Sequence, residues 1–82
     1  MKLIINKSSL KSLKKIPHQY SKQIVDNIRK LLTNPYPSNS LKLVGQDNHR
    51  IRVGVYRVIY FIDSTNQQIK ILRISHRKEI YR

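Results

Sequence analysis

The stretch HRIRVGVYRVIYFID, residues 49–63, alternates polar and apolar side chains on both sides of a Gly54-Val55 pair. Alternation with a period of two is typical of β-strands that bury one face. Glycine readily adopts the backbone conformation that a two-residue hairpin turn requires. The stretch therefore predicts a β-hairpin with its turn at Gly54-Val55, in which Arg52 lies directly opposite Arg57.

This register sorts the side chains of the hairpin onto two faces. The other face begins with arginines and continues with apolar residues, whereas the face predicted to pack on the core is apolar and aromatic: Ile51, Val53, Tyr56, Val58, Tyr60 and Ile62. The arginines are Arg50, Arg52 and Arg57. Like charges directly opposite each other destabilise a pair of strands, so a face of a single sign indicates an anionic partner that offsets this cost.

The residues before the hairpin have helical spacing. A short β-strand at residues 3–5 precedes a helix whose N-cap is expected at Ser8 or Ser9. Pro17 ends this helix or opens the next. The second helix presents a core-facing stripe with helical periodicity: Tyr20, Ile24, Ile28, Leu31 and Leu32. Two prolines within residues 34–39 then end it.

From Leu41 onward the apolar residues recur with a period of two. This period predicts strands at residues 41–44, 50–53, 56–62 and 69–75. The resulting order, β-α-α-β-β-β-β, predicts a single domain over residues 1–82 in the α/β (α+β) class. We expect two antiparallel helices packed on one face of a small, mostly antiparallel sheet.

The last of these strands differs from the others because it is apolar on both faces. This pattern predicts an interior strand, paired in parallel with the N-terminal strand. Lys70 and Arg73 interrupt the apolar residues. A one-residue change in the preceding turn reverses the face of every side chain, so the sequence leaves open which of the two joins the arginine-bearing face.

Charge is the second strong constraint. The chain has 17 lysines and arginines against four aspartates and glutamates, a formal net charge of +13 on 82 residues. Such a surface repels itself and binds polyanions, usually nucleic acid or an acidic protein. The absence of cysteine excludes disulfides and thiolate metal sites. The apolar start is too short for a signal peptide and no apolar run reaches the length of a membrane span, so we expect a cytoplasmic protein.

The remaining residue types limit the chemistry that an enzyme of this composition could perform. The four carboxylates and the three histidines are scattered, without the spacing of a metal site, and neither a metal nor another cofactor is expected. Metal-independent cleavage of RNA remains, in which the 2′-hydroxyl attacks the neighbouring phosphorus. Arginines supply positive charge for this reaction. The ending SHRKEIYR offers His76 and Tyr81 for proton transfer, and nearby arginines would lower the high pKa of a tyrosine.

The segments RIRVGVYRVIYFID and IKILRISHRKEIYR together resemble the RelE/ParE toxin superfamily of bacterial type II toxin–antitoxin systems. The length and the order of elements match as well, so the resemblance spans essentially the whole chain and implies a RelE-like, microbial-RNase-type fold. RelE-type members are ribosome-dependent endoribonucleases that cut mRNA in the A site. ParE-type members share the fold but inhibit DNA gyrase. An antitoxin neutralises the toxin in each system.

The resemblance also implies roles for individual residues. Arg57 matches the strand arginine that contacts the scissile phosphate, and Arg77 matches a second arginine. Tyr81 matches the tyrosine proposed as general base, and His76 lies where some relatives place a catalytic histidine. Whether Tyr81 or His76 is the base stays open. Residues assigned to substrate binding are Arg50, Arg52 and Arg73, of which the first two stand where RelE has lysines and can act only as charge stabilisers, because arginine does not lose its proton.

These features predict a toxin that cleaves mRNA on the 70S ribosome without a metal and that is held by an acidic antitoxin. A ParE-like gyrase inhibitor without nuclease chemistry is the alternative. A catalytically inactive RNA-binding relative is a third reading, because the two arginines replace lysines of RelE. The codon preference, the antitoxin family and the stoichiometry of the complex do not follow from the sequence.

Overall fold

A five-stranded sheet with two helices on one face forms the fold, in a computed structural model that describes residues 1–43 and 48–76. The elements are β1 (Lys2–Ile5), α1 (Lys7–Lys15), α2 (His18–Lys30), β2 (Ser40–Lys42), β3 (Asn48–Val53), β4 (Tyr56–Asp63) and β5 (Gln68–His76). Their order and the α+β class are as predicted. Val44, at the end of one predicted strand, lies outside the described residues, as do Arg77 and Tyr81. Neither helix is long and apolar enough to cross a membrane.

The strands lie side by side in the order β1-β5-β4-β3-β2. Strands β2 to β5 pair antiparallel with their neighbours, and β1 pairs in parallel with β5. The prediction that the last strand is interior and parallel to the first is therefore confirmed. Gly54 has φ +61° in the turn between β3 and β4, and Arg52 lies opposite Arg57, which confirms the predicted hairpin register.

The core lies between the helices and one face of the sheet. On α2 the fully buried positions are Ile24 and Ile28, with Leu31 immediately after the helix. They pack against the predicted apolar face of the hairpin and against the isoleucines of β5. Tyr20 and Leu32 are 41% and 39% exposed, so the buried stripe is narrower than predicted. The opposite face of the sheet, which neither helix covers, is called the uncovered face below.

Asn6, between β1 and α1, caps the first helix. Its side-chain oxygen accepts a hydrogen bond from the Ser9 backbone N–H at 2.8 Å, and its side-chain amide donates to the Leu72 carbonyl at 2.9 Å. The predicted cap at Ser8 or Ser9 is wrong. The backbone at Asn6 is still extended as it leaves β1, so the helix begins at the next residue and places Ser9 inside it, fully buried.

A β-bulge in β5 decides which side chains reach the uncovered face. Tyr60 pairs with Ile71 and Ile59 pairs with Arg73, so Leu72 has no partner of its own on β4. Side chains three positions apart on a regular strand point to opposite faces. Because the bulge adds one residue, Lys70 and Arg73 both lie on the uncovered face, and the question that the sequence leaves open is resolved in favour of both.

We predict that Asn6→Ala destabilises the fold by about 1–3 kcal/mol. The substitution removes an N-cap, which is worth about 1 kcal/mol, and one further hydrogen bond worth about 0.5–1.5 kcal/mol. Urea unfolding followed by circular dichroism measures the loss. Asn6→Asp is the matched control, because it keeps the capping oxygen and removes the amide that binds Leu72, and it should lose less. Equal unfolding midpoints for wild type and Asn6→Ala would contradict this account of the bulge.

Candidate nucleic-acid interface

Four arginines from three neighbouring strands project from the uncovered face. They form the arginine surface: Arg50 and Arg52 on β3, Arg57 on β4 and Arg73 on β5. Cross-strand partners share a face of the sheet. The pairs Arg52–Arg57 and Ile59–Arg73, together with the alternation along each strand, therefore place all four on one side. The structure thus brings together every arginine that the sequence assigned to phosphate contact within the described residues.

Exposure differs across the arginine surface. Arg57, on the central strand, is only 6% exposed, Arg50 is half-buried, and Arg52 and Arg73 are exposed. A guanidinium stays protonated at any physiological pH. The burial of Arg57 therefore fixes one positive charge at the centre of the surface, with the more mobile charges around it.

Carboxylates of the described residues lie away from this surface. Asp26 is exposed on α2, and Asp63 ends β4. Hydrogen bonds from the side chain and backbone of Asn66, with the nearby charge of Lys70, hold the pKa of Asp63 below its usual value. Lys70 pairs with Asp63 at 3.5 Å. The negative charge of Asp63 is thus used near the far end of β4, and the arginine surface keeps a strongly positive potential.

A cleft of about 330 Å³ opens beside three of these arginines. Its other wall is the chain segment that leads into β2, comprising Ser38, Asn39, Ser40 and Leu41. The Asn39 side-chain amide donates to the Arg52 carbonyl at 3.0 Å, which ties this wall to β3. We call this space the arginine cleft. The sequence gives no signal for these wall residues, because only the pairing of β2 with β3 brings them to the arginines.

His76 lies on the other side of the sheet from the arginine surface. Its cross-strand partner is Tyr56, and the two rings meet edge to face with centroids 5.4 Å apart. Tyr56 in turn contacts Tyr20 of α2 at 6.0 Å. His76 lines a cleft of about 400 Å³ with residues of α1. The structure therefore does not bring His76 together with Arg57. Its catalytic role stays a prediction, as do those of Arg77 and Tyr81.

Comparisons with known proteins match this architecture. The family described as the ParE toxin of the type II toxin–antitoxin system, parDE, matches residues 3–81. RelE1 of Methanocaldococcus jannaschii is 35% identical over 82 residues, which cover 95% of this chain and 91% of RelE1. The chain belongs to the RelE/ParE toxin family.

Solved structures of RelE/ParE toxins share the fold. The archaeal RelE–RelB complex from Pyrococcus horikoshii OT3 contains a chain with a TM-score of 0.84 and 30% identity, and the match covers 93% of both chains. The Escherichia coli RelBE toxin–antitoxin complex contains one with a TM-score of 0.80 and 20% identity, covering 92% of this chain and 94% of that one. The RelE-like fold that the sequence resemblance implies is confirmed.

If the arginine surface of this RelE/ParE toxin is an anion site, sulfate should raise the melting temperature (Tm) of the protein. A site filled at ten times its Kd adds about 1.4 kcal/mol, or about 6–11 °C in Tm for a domain of this size. Sulfate also stabilises proteins generally, so the decisive comparison is between two single-charge losses at matched ionic strength. Arg52→Gln should lose most of the shift, whereas Arg29→Gln on α2 should keep it. Equal shifts in the two variants would show that the surface holds no anion site.

Proposed function

We propose that this toxin is a ribosome-dependent endoribonuclease that cleaves mRNA in the A site and so inhibits translation. The observation that carries the proposal is the arginine surface, in which a buried guanidinium is surrounded by three more on a rigid sheet. Rigid strands hold charges more precisely than loops do. Guanidinium groups match phosphate oxygens in geometry as well as in charge. The 30% and 35% identities to RelE proteins support the RelE branch of the family.

The proposed reaction uses a nucleophile that RNA itself carries. The 2′-oxygen forms a bond to the adjacent phosphorus while the bond from phosphorus to the 5′-oxygen breaks, which leaves a cyclic phosphate and a 5′-hydroxyl. Negative charge builds on the non-bridging oxygens in the transition state. Fixed positive groups aimed at these oxygens lower the barrier. Arg57 is placed to stabilise this charge, and the more exposed Arg52 and Arg73 to hold the flanking phosphates.

Proton transfer needs groups other than arginine. We retain Tyr81 as the general base, with the arginines favouring its phenolate form, and Arg77 as a second ligand of the scissile phosphate. His76 is the other candidate for proton transfer. Because its ring contacts Tyr56 on the helix side, it would serve only from beyond the end of β5. The weak acid–base set is the reason to propose that the ribosome aligns the mRNA for in-line attack.

A cognate antitoxin is the second proposed partner. The Pyrococcus horikoshii and Escherichia coli structures each hold RelE together with RelB. A chain of charge +13 offers an acidic protein strong electrostatic attraction. We propose an antitoxin with an acidic segment that reaches the arginine surface and competes there with RNA.

A gyrase inhibitor without nuclease chemistry is the second candidate function, because the matching family is described as the ParE toxin. The two functions make different demands on the chain. Inhibition by protein binding does not need a phosphate-binding centre, whereas RNA cleavage depends on it. A DNA supercoiling assay with purified gyrase tests the alternative directly: we expect no inhibition at toxin concentrations that cut mRNA.

We predict that purified toxin cleaves mRNA within a programmed 70S complex and leaves the same mRNA intact in free solution. Arg57→Ala should slow single-turnover cleavage by about 10²–10³-fold, since removal of one group that stabilises transition-state charge has this effect. Arg29→Ala on α2 is the control of equal charge loss and should cut normally. Arg57→Lys, which keeps the charge and packing stem, should retain part of the rate. Equal cleavage of free and ribosome-bound mRNA, or an unimpaired Arg57→Ala, would contradict the proposal.

A further inference from the structure

A second cleft, with aromatic walls, lies toward the opposite end of the β3–β4 hairpin from the turn at Gly54. Its volume is about 350 Å³, and three of its lining residues carry aromatic rings: Tyr36, His49 and Phe61. Lys42 and Asp63 also line it. We call it the aromatic cleft. Neither the predicted catalytic residues nor the predicted phosphate contacts belong to it.

The ring of Tyr36 is held in place by a stack that begins in the core. Buried Tyr60 donates a hydrogen bond from its hydroxyl to the Pro35 carbonyl at 2.7 Å. His49 stacks on Tyr60 with ring centroids 5.5 Å apart, and Tyr36 meets the edge of His49 at 5.3 Å. The Tyr36 backbone N–H donates to the Asn34 side chain at 3.1 Å. These contacts pre-order Tyr36, so a ligand that uses its free surface loses little conformational entropy on binding.

Tyr36 is nevertheless 62% exposed, the largest exposure among the large apolar side chains of residues 1–43 and 48–76. A tyrosine that served only the core would be covered, as Tyr60 is. An ordered aromatic ring that faces solvent, on a chain of charge +13, has the features of a platform on which nucleobases stack.

The charges of the aromatic cleft fit a base better than a phosphate. The Asp63 carboxylate lies in its wall and, through Asn66 and Lys70, is kept ionised. A carboxylate repels phosphate but accepts hydrogen bonds from the amino groups of bases. Lys42 on the same wall can attract the backbone of the bound strand from outside the cleft.

The α2–β2 loop joins the aromatic cleft to the arginine cleft. Tyr36 lines the first, and Ser38 and Asn39, two and three residues later, line the second. On β3, His49 and Arg52 are three residues apart, or about 10 Å along the strand. A single-stranded RNA with a phosphate on the arginine surface therefore passes the mouth of the aromatic cleft.

We propose that the aromatic cleft is a nucleobase subsite, in which an unpaired base next to the arginine-bound phosphates stacks on Tyr36. Its assignment to mRNA rests on the proposed function, whereas the stacking itself needs only a single-stranded RNA. Every base has a π-face, so the subsite should tolerate all four bases. It would fix the register of the strand on the arginine surface.

The test measures binding of a short single-stranded RNA with 2′-O-methyl riboses, which cannot be cleaved, by fluorescence anisotropy. Loss of one stacked base weakens binding by about 5- to 150-fold, and we expect this loss for Tyr36→Ala. Tyr36→Phe keeps the ring and should bind within about twofold of wild type. Tyr20→Ala, which removes another exposed tyrosine on α2, should leave binding unchanged. Thermal melting verifies that each variant is folded.

A second arm moves a single abasic nucleotide along the same RNA. In the wild type, one position should lose as much affinity as Tyr36→Ala does, and in Tyr36→Ala that position should cost nothing further. Undiminished binding by Tyr36→Ala, equal losses in Tyr36→Ala and Tyr36→Phe, or no binding of the RNA by wild type would overturn the subsite. So would a Tyr36→Ala that weakens only the antitoxin complex. Intact RNA binding without cleavage on the ribosome would instead overturn only the proposed nuclease function.

Discussion

The bulge at Leu72 is the constraint on which the site depends. It shifts the last residues of β5 by one position relative to β4, so that Arg73 lies on the uncovered face and His76 beside Tyr56 on the helix side. Asn6 binds the carbonyl of the bulged residue while it caps α1. The start of the first helix and the composition of the arginine surface are thus fixed by one side chain, and a regular β5 would exchange the faces of its final residues.

The two faces of the sheet carry opposite balances of stability and function. The helix side buries a continuous apolar core that holds the domain together. The uncovered face places Arg52 directly opposite Arg57, an arrangement that costs stability until an anion binds. A small domain has little stability to spare. Such local costs are typical of functional sites, and a polyanionic partner accounts for this one.

The sequence predicts those parts of the molecule that depend on local pattern. The hairpin follows from the alternation around Gly54, and the order of elements follows from the change of period at Leu41. The N-cap does not follow, because Asn6, Ser8 and Ser9 are all good capping residues and only the path of β1 selects between them. The resemblance groups His76 with Arg57, but the bulge, which arises from the tertiary pairing of β4 with β5, separates them. Both clefts were missed because the α2–β2 loop that walls them has no sequence signal for its position.

The central claim is that the arginine surface supports attack by the RNA's own 2′-hydroxyl on the ribosome. The most direct measurement places a single 2′-deoxynucleotide at the scissile position of an mRNA in a programmed 70S complex and maps the products and their ends. The account predicts that unmodified mRNA yields a 2′,3′-cyclic phosphate and a 5′-hydroxyl, and that the deoxy-substituted mRNA stays intact at that position. Cleavage of the deoxy-substituted mRNA there, or products with a 5′-phosphate, would contradict it.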